Sequence, residues 1–144
     1  MPQFHMLGIS EFKAAIDASV ARQLAATRAA TAAGAHLIEG KAKEELTKSS
    51  HEKGTPTPAS PGEPPSLVSG TLRRSVTVKG PVSAGASFTA SVGPTAVYGR
   101  IQELGGDTGR NHATRLPPRP SMRPAVEKSK EELHALYEAA WAKW

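Results

Sequence analysis

Residues 91–106 read SVGPTAVYGRIQELGG, and the change of period inside them decides the fold class. Up to Val92 the apolar residues alternate, with Phe88, Ala90 and Val92 on one parity, the pattern of a half-buried strand. Gly93-Pro94 breaks that run, because proline has no N–H to give to a ladder. Val97, Ile101 and Leu104 then fall at helical spacing and seat a short helix on the core, until Gly105-Gly106 stops it. A strand that turns into a short helix places the chain in the α+β class.

Working back toward the N-terminus, Val76 and Val78 share one parity and face the 88–92 run as an antiparallel hairpin around KGPVSAGA, residues 79–86. The other parity is Thr, Ser and Lys, so one face of this small sheet is covered and the other is wet. Ser69 is placed to cap a single helical turn through Thr71, Leu72 and Arg73, and the strand begins near Ser75. Ahead of it, residues 49–66, SSHEKGTPTPASPGEPPS, carry too much Pro, Gly and Ser for helix or central strand. This is an extended loop, either an interaction arm that orders on assembly or a passive connection.

From Ser10 to about Lys48 the chain is rich in Ala, Glu, Lys and Arg and reads as one long helix, with Ser10 as its cap and Glu11 at its positive end. Ile9, Phe12, Ile16, Val20 and Leu24 form an apolar stripe that resumes at Leu37, Ile38, Ala42 and Leu46. Gly34 and Gly40 are positions where this helix can bend or break. Its alanine-rich middle, Ala25 to Ala35, fits close approach of another helix or subunit, or else a plain solvated face. At the other end, Asp107 to Pro118 reads as loop. A last helix starts after Pro120, with Ser121 as N-cap and Pro124 in the tolerated first turn. Val126, Leu133, Leu136, Tyr137, Ala140, Trp141 and Trp144 form its stripe, which packs on the apolar face of the sheet.

The 144 residues suit one domain, 1–144, and the formal charge of +5 biases it toward anionic partners without making a site. There is no cysteine, so thiolate chemistry, disulfides and Cys-ligated zinc are excluded. No basic start with an apolar core marks a secretory signal and no apolar run approaches a membrane span, so a cytosolic product is expected. His5, His36, His51, His112 and His134 include no pair at the i, i+4 spacing of a helical metal site. No G-x-S-x-G elbow and no phosphate-cradling glycine loop is present. No catalytic, cofactor-binding or metal-ligating residue is therefore named, and no enzyme activity is expected.

Arg73, Arg74, Arg100, Arg110, Arg115, Arg119 and Arg123 make the centre and the late chain arginine-rich. A guanidinium fork grips phosphate or carboxylate, so the partner is nucleic acid or the acidic side chains of a neighbouring subunit. Aromatic residues at 5% are few for base stacking, which favours protein. Tyr98 is read as a packed ring with its hydroxyl at the edge. Glu103, five residues on and on another face, is a solvated acid, a helix cap, or a carboxylate held by an arginine.

Three segments in order, GEPPSLVSGTLRRSV (62–76), VGPTAVYGRIQELGG (92–106) and LPPRPSMRPAVE (116–127), resemble the neck or tail-completion proteins of long-tailed bacteriophages, the HK97 gp10-like family. The family's Thr-Gly before a Leu-Arg pair is matched by Ser69-Gly70 and Leu72-Arg73, and its Tyr followed by Glu-Phe-Gly-Thr by Tyr98 and Glu103-Leu104-Gly105-Gly106. Its Arg-Pro, aromatic, Arg-Pro-Ala run is matched by Arg119 to Ala125, with Leu104, Gly106 and Ser121 as departures; Ser121 stands where the family has a core aromatic.

The resemblance implies a non-enzymatic subunit of a hexameric ring at the head-tail junction, in the virion neck and, during assembly, in the host cytoplasm. Its partners would be further copies of itself, head-closure or connector proteins, and tail terminator or tail tube proteins, with genomic DNA passing through the channel and no membrane. Arg73, Arg74, Arg119 and Arg123 are then the candidate inter-subunit cations, Glu103 the acceptor, Tyr98 a packing residue at the same corner, and residues 49–66 a docking arm. The alternative from another class is a basic nucleic-acid-binding protein.

Overall fold

Strong helix formers without a proline make a long helix cheap to extend, and Ile9–Glu45 form one unbroken 37-residue helix, α1. The structure is a computed structural model and describes residues 8–54 and 58–142. After α1 come a one-turn helix α2 (Thr71–Ser75), strands β1 (Val76–Ala84) and β2 (Ser87–Pro94), helix α3 (Gly99–Leu104), strands β3 (Gly106–Thr108) and β4 (Thr114–Leu116), and helix α4 (Met122–Trp141). The class is α+β, as the sequence predicts. Trp144, expected on the α4 stripe, lies outside the described residues.

Neither Gly34 nor Gly40 interrupts α1. A β-carbon at Gly34 would come within 2.7 Å of Leu133 Cδ2, so the missing side chain is what lets α4 lie close along α1. Ala30, Ala35, Ala42, Ala125 and Ser129 are buried there too, so the alanine-rich middle serves close helix approach. The two helices run antiparallel, tied by Thr31 Oγ1 and Tyr137 Oη at 3.0 Å and by Trp141 Nε1 donating to Thr27 Oγ1 at 3.1 Å. Ser10 does not cap: the helix starts one residue before it, behind Gly8, and the Ser10 hydroxyl donates to Glu11 instead.

Strands β1 and β2 pair antiparallel with Val76 opposite Pro94 and Val78 opposite Val92. The hairpin is longer than the sequence suggests. Pairing continues through Val82–Thr89, Ser83–Phe88 and Ala84–Ser87, so the turn is only Gly85-Ala86, and a register shift between Lys79 and Val82 absorbs Gly80-Pro81 as a bulge. A lone two-stranded sheet is marginal in water, and α1 covers one face of it. The core forms where the layers converge: Ala42 and Leu46 of α1, Val76 of β1 and Ala125 of α4, with Leu72, Val92 and Met122 against them. Thus α4 meets the sheet through its first turns, and its remaining length follows α1.

Two other expectations are corrected. The Asp107 to Pro118 segment is not plain loop, because β3 and β4 form a small hairpin, Gly106 opposite Leu116 through Thr108 opposite Thr114. Val97 and Leu104 do not seat α3 on the core: Val97 is fully exposed and Leu104 largely so. The helix starts only at Gly99, and the face it turns inward carries Gly99, Gln102 and Glu103. Ile9, Phe12, Ile16 and Val20 are exposed on the first turns of α1, a helix about 55 Å long, and Val20 lines a recess shared with Ala86 and Trp141.

Gly105 ends α3 with φ 69° and ψ −176°, a region essentially closed to other residues. A β-carbon there would also sit 2.8 Å from both Leu116 O and Pro118 N. Gly105→Ala is expected to cost about 2 kcal/mol, read as a lowered urea midpoint with unchanged slope.

Candidate functional site

The first four N–H groups of a helix have no partner inside it, and its N-terminus is positive. At α4 that demand is met from outside. The Glu103 carboxylate accepts hydrogen bonds from Ser121 N at 2.7 Å, Ser121 Oγ at 3.2 Å, Met122 N at 3.1 Å and Arg123 N at 3.0 Å. Ser121 holds the N-cap position as predicted, yet its hydroxyl bonds Glu103 and makes no cap bond of its own. Of the three readings open for Glu103, the cap is the one found. Its oxygens are engaged by main-chain N–H groups of its own chain.

Arg119 is also used internally. It is buried, its Nε donates to Ala59 O at 3.0 Å, and its backbone N donates to Gln102 O at 2.7 Å. The expected inter-subunit cation therefore ties the 49–66 loop to the α3–α4 junction. Gly62 N donating to Pro118 O at 2.9 Å adds a second tie. The loop is closed at its base by Leu67 N to Ser49 O at 2.7 Å and by the Ser50–Leu67 bridge. As far as it is described, the arm docks on its own chain.

Arg73, Arg74 and Arg123 are exposed. Arg73 lines a shallow recess with Tyr98, Gln102, Leu46, Leu67 and Leu72, so two of the residues singled out from sequence do come together. Tyr98 stands at the start of α3, 43% exposed, as the wall of that recess rather than a core ring. Gln102 was not foreseen: it receives Arg119 N on its carbonyl, and its side-chain Oε1 is buried with no hydrogen-bond partner.

A second feature unseen in the sequence lies at the end of α1. Glu45 is buried, its side chain only 4% exposed, and is held by Lys48 and Lys128. Burial pushes its carboxyl up, but the bonds from Lys128 and Lys48 outweigh it and leave the group below its ordinary value of 4.5. This is a clamp between α1 and α4, not a reactive acid in a cleft.

Among the described residues no group of three or more His, Asp and Glu is placed to hold a metal, and no helix is long and apolar enough to cross a membrane. Two of the described histidines each meet a single acid, His36 with Glu39 at 3.0 Å and His134 with Glu138 at 3.4 Å. What the arrangement offers is surface: a recess with Arg73 and Tyr98, outward arginines, and the uncovered apolar stripe of α1. No protein-family model, curated protein or solved structure matches the chain.

Proposed function

We propose that the chain is a structural subunit of a tailed-bacteriophage neck, one copy of a ring at the head-tail junction that completes the tail and leaves a channel for DNA. One observation carries the reading beyond the resemblance: the three resembling segments form one connected unit. Leu72 of the first lies under Gly99 of the second, and Glu103 of the second caps the helix that the third begins. Segments that were matched separately in order along the chain are thus held together as a single corner.

In this reading the protein is not an enzyme. It joins head-closure or connector proteins on one side and the tail terminator or tube on the other, in six copies, in the virion and before that in the host cytoplasm. The test is complementation in extract. Heads and tails from a lysate whose own copy of the gene is inactivated should join and regain infectivity when the purified chain is added; no joining at any concentration overturns the proposal.

The exposure of Arg73, Arg74, Arg100, Arg110 and Arg123 favours a second reading, a basic nucleic-acid-binding protein. Affinity for duplex DNA that falls steeply with salt, together with failure to join heads to tails, is the result that would select it.

A further inference from the structure

Ile9, Phe12, Ile16 and Val20 recur at spacings of three and four, so they form one ridge along about 17 Å of α1. All four are exposed, Phe12 to 67%. Thr27, where α4 ends against Trp141, lies two turns further along the same face. The ridge therefore prolongs the face that α4 covers, starting from Val20, which shares a recess with Trp141.

The same chain carries an apolar groove. Ala33 and Leu37 of α1 and Ala135, Leu136 and Ala139 of α4 line it, with Glu132 at its edge. Leu37 stands nine residues before Leu46, half a turn round the helix, so the groove opens on the flank turned away from the sheet core. Its alanines leave room, and the ridge has the bulk to fill it.

The two cannot meet within one chain, because α1 is one unbroken helix and Phe12 and Leu37 are about 38 Å apart along it. Charge also narrows the occupant. Between Ile9 and Leu24, Glu11 and Asp17 cancel Lys13 and Arg22, and Lys13 pairs with Asp17 at 2.6 Å, so the ridge has no surplus charge with which to attract a polyanion.

We infer that the ridge of one copy seats in the α1–α4 groove of the next. Two different surfaces then meet at every junction, a heterologous contact that closes into a ring when its rotation allows. A ridge this short presents a few hundred Å² against the roughly 800 Å² per partner of a stable pair. A copy held by its ridge on one side and its groove on the other is accordingly far better secured than either member of an isolated dimer. The closure of the ring rests on the neck reading; the contact itself rests only on the ridge and the groove.

The chain has no cysteine, which makes cross-linking clean. A protein carrying both Phe12→Cys and Ala135→Cys should give, on mild oxidation, a ladder of linked species at multiples of 15.1 kDa, while each single variant stays unlinked. Absence of any linkage overturns the inference, as does linkage by Phe12→Cys alone, which would mean that ridges pair with ridges. Phe12→Asp should keep the parent circular-dichroism spectrum, since the side chain is exposed in the single chain, and reduce the assembly to single chains; unchanged assembly in that variant overturns the inference too. Linked multimers that do not join heads to tails uphold the contact and remove the neck reading. Joining restored at full efficiency by Phe12→Asp removes the contact and leaves the neck reading standing.

Discussion

Glu103→Ala is expected to cost the fold about 3 kcal/mol, the sum of a lost N-terminal cap and main-chain donors left without a partner. Ser121 N, Met122 N and Arg123 N all turn to that carboxylate, and among the described residues no other side chain bonds them. Glu103→Gln keeps one acceptor oxygen but loses the charge that opposes the helix dipole, and should cost about 1 kcal/mol. The check is urea unfolding of the three proteins side by side. An alanine variant within error of the parent would mean that the α3–α4 junction contributes little to the fold.

The largest loss is expected when Glu45 is stripped of its cations. Glu45→Leu removes a charge that costs energy to bury and leaves two half-exposed lysines free to hydrate, so its effect is small. The double variant Lys48→Met, Lys128→Met instead strands a buried carboxylate and should cost about 4 kcal/mol at neutral pH.

The pH dependence should separate the two proteins. In the parent, Glu45 titrates below its ordinary 4.5, so its stabilising share is present above that pH and is lost as pH falls through the lower folded value. Without the lysines, burial alone remains and raises the folded value above the unfolded one. The double variant should then gain stability on acidification across the range where the parent is flat. Thermal melts from pH 7 down to pH 3 read both slopes, and parallel curves would contradict the clamp.

Long periodic segments were legible because many residues repeat the signal: the unbroken α1, the parity of Phe88, Ala90 and Val92, and the start of α4 at Ser121. The β3–β4 hairpin was not, since three-residue strands with a glycine among them are too short to show an alternation. Period also tells which face of a helix is apolar without telling what covers it. That is why the apolar stripe from Ile9 to Val20 was legible while its exposure was not. Glu103 and Ser121 were each noticed, but nothing local marks a bond between residues 18 positions apart. The Glu45 clamp spans 83 positions to Lys128 and left only the ordinary i, i+3 acid-base pair with Lys48 as a trace. Arg119 looked like an outward cation because its burial depends on the 49–66 loop folding over it, which composition cannot foretell.

The central claim is that this chain is a ring subunit, and the most direct measurement is the mass of the purified protein across a concentration series, with electron microscopy of the heaviest species. The account predicts closed rings with a central channel, at an integral multiple of 15.1 kDa, that disappear in Phe12→Asp while its fold persists. A chain that stays at 15.1 kDa at every concentration, and does not assemble when heads and tails are added, would contradict it.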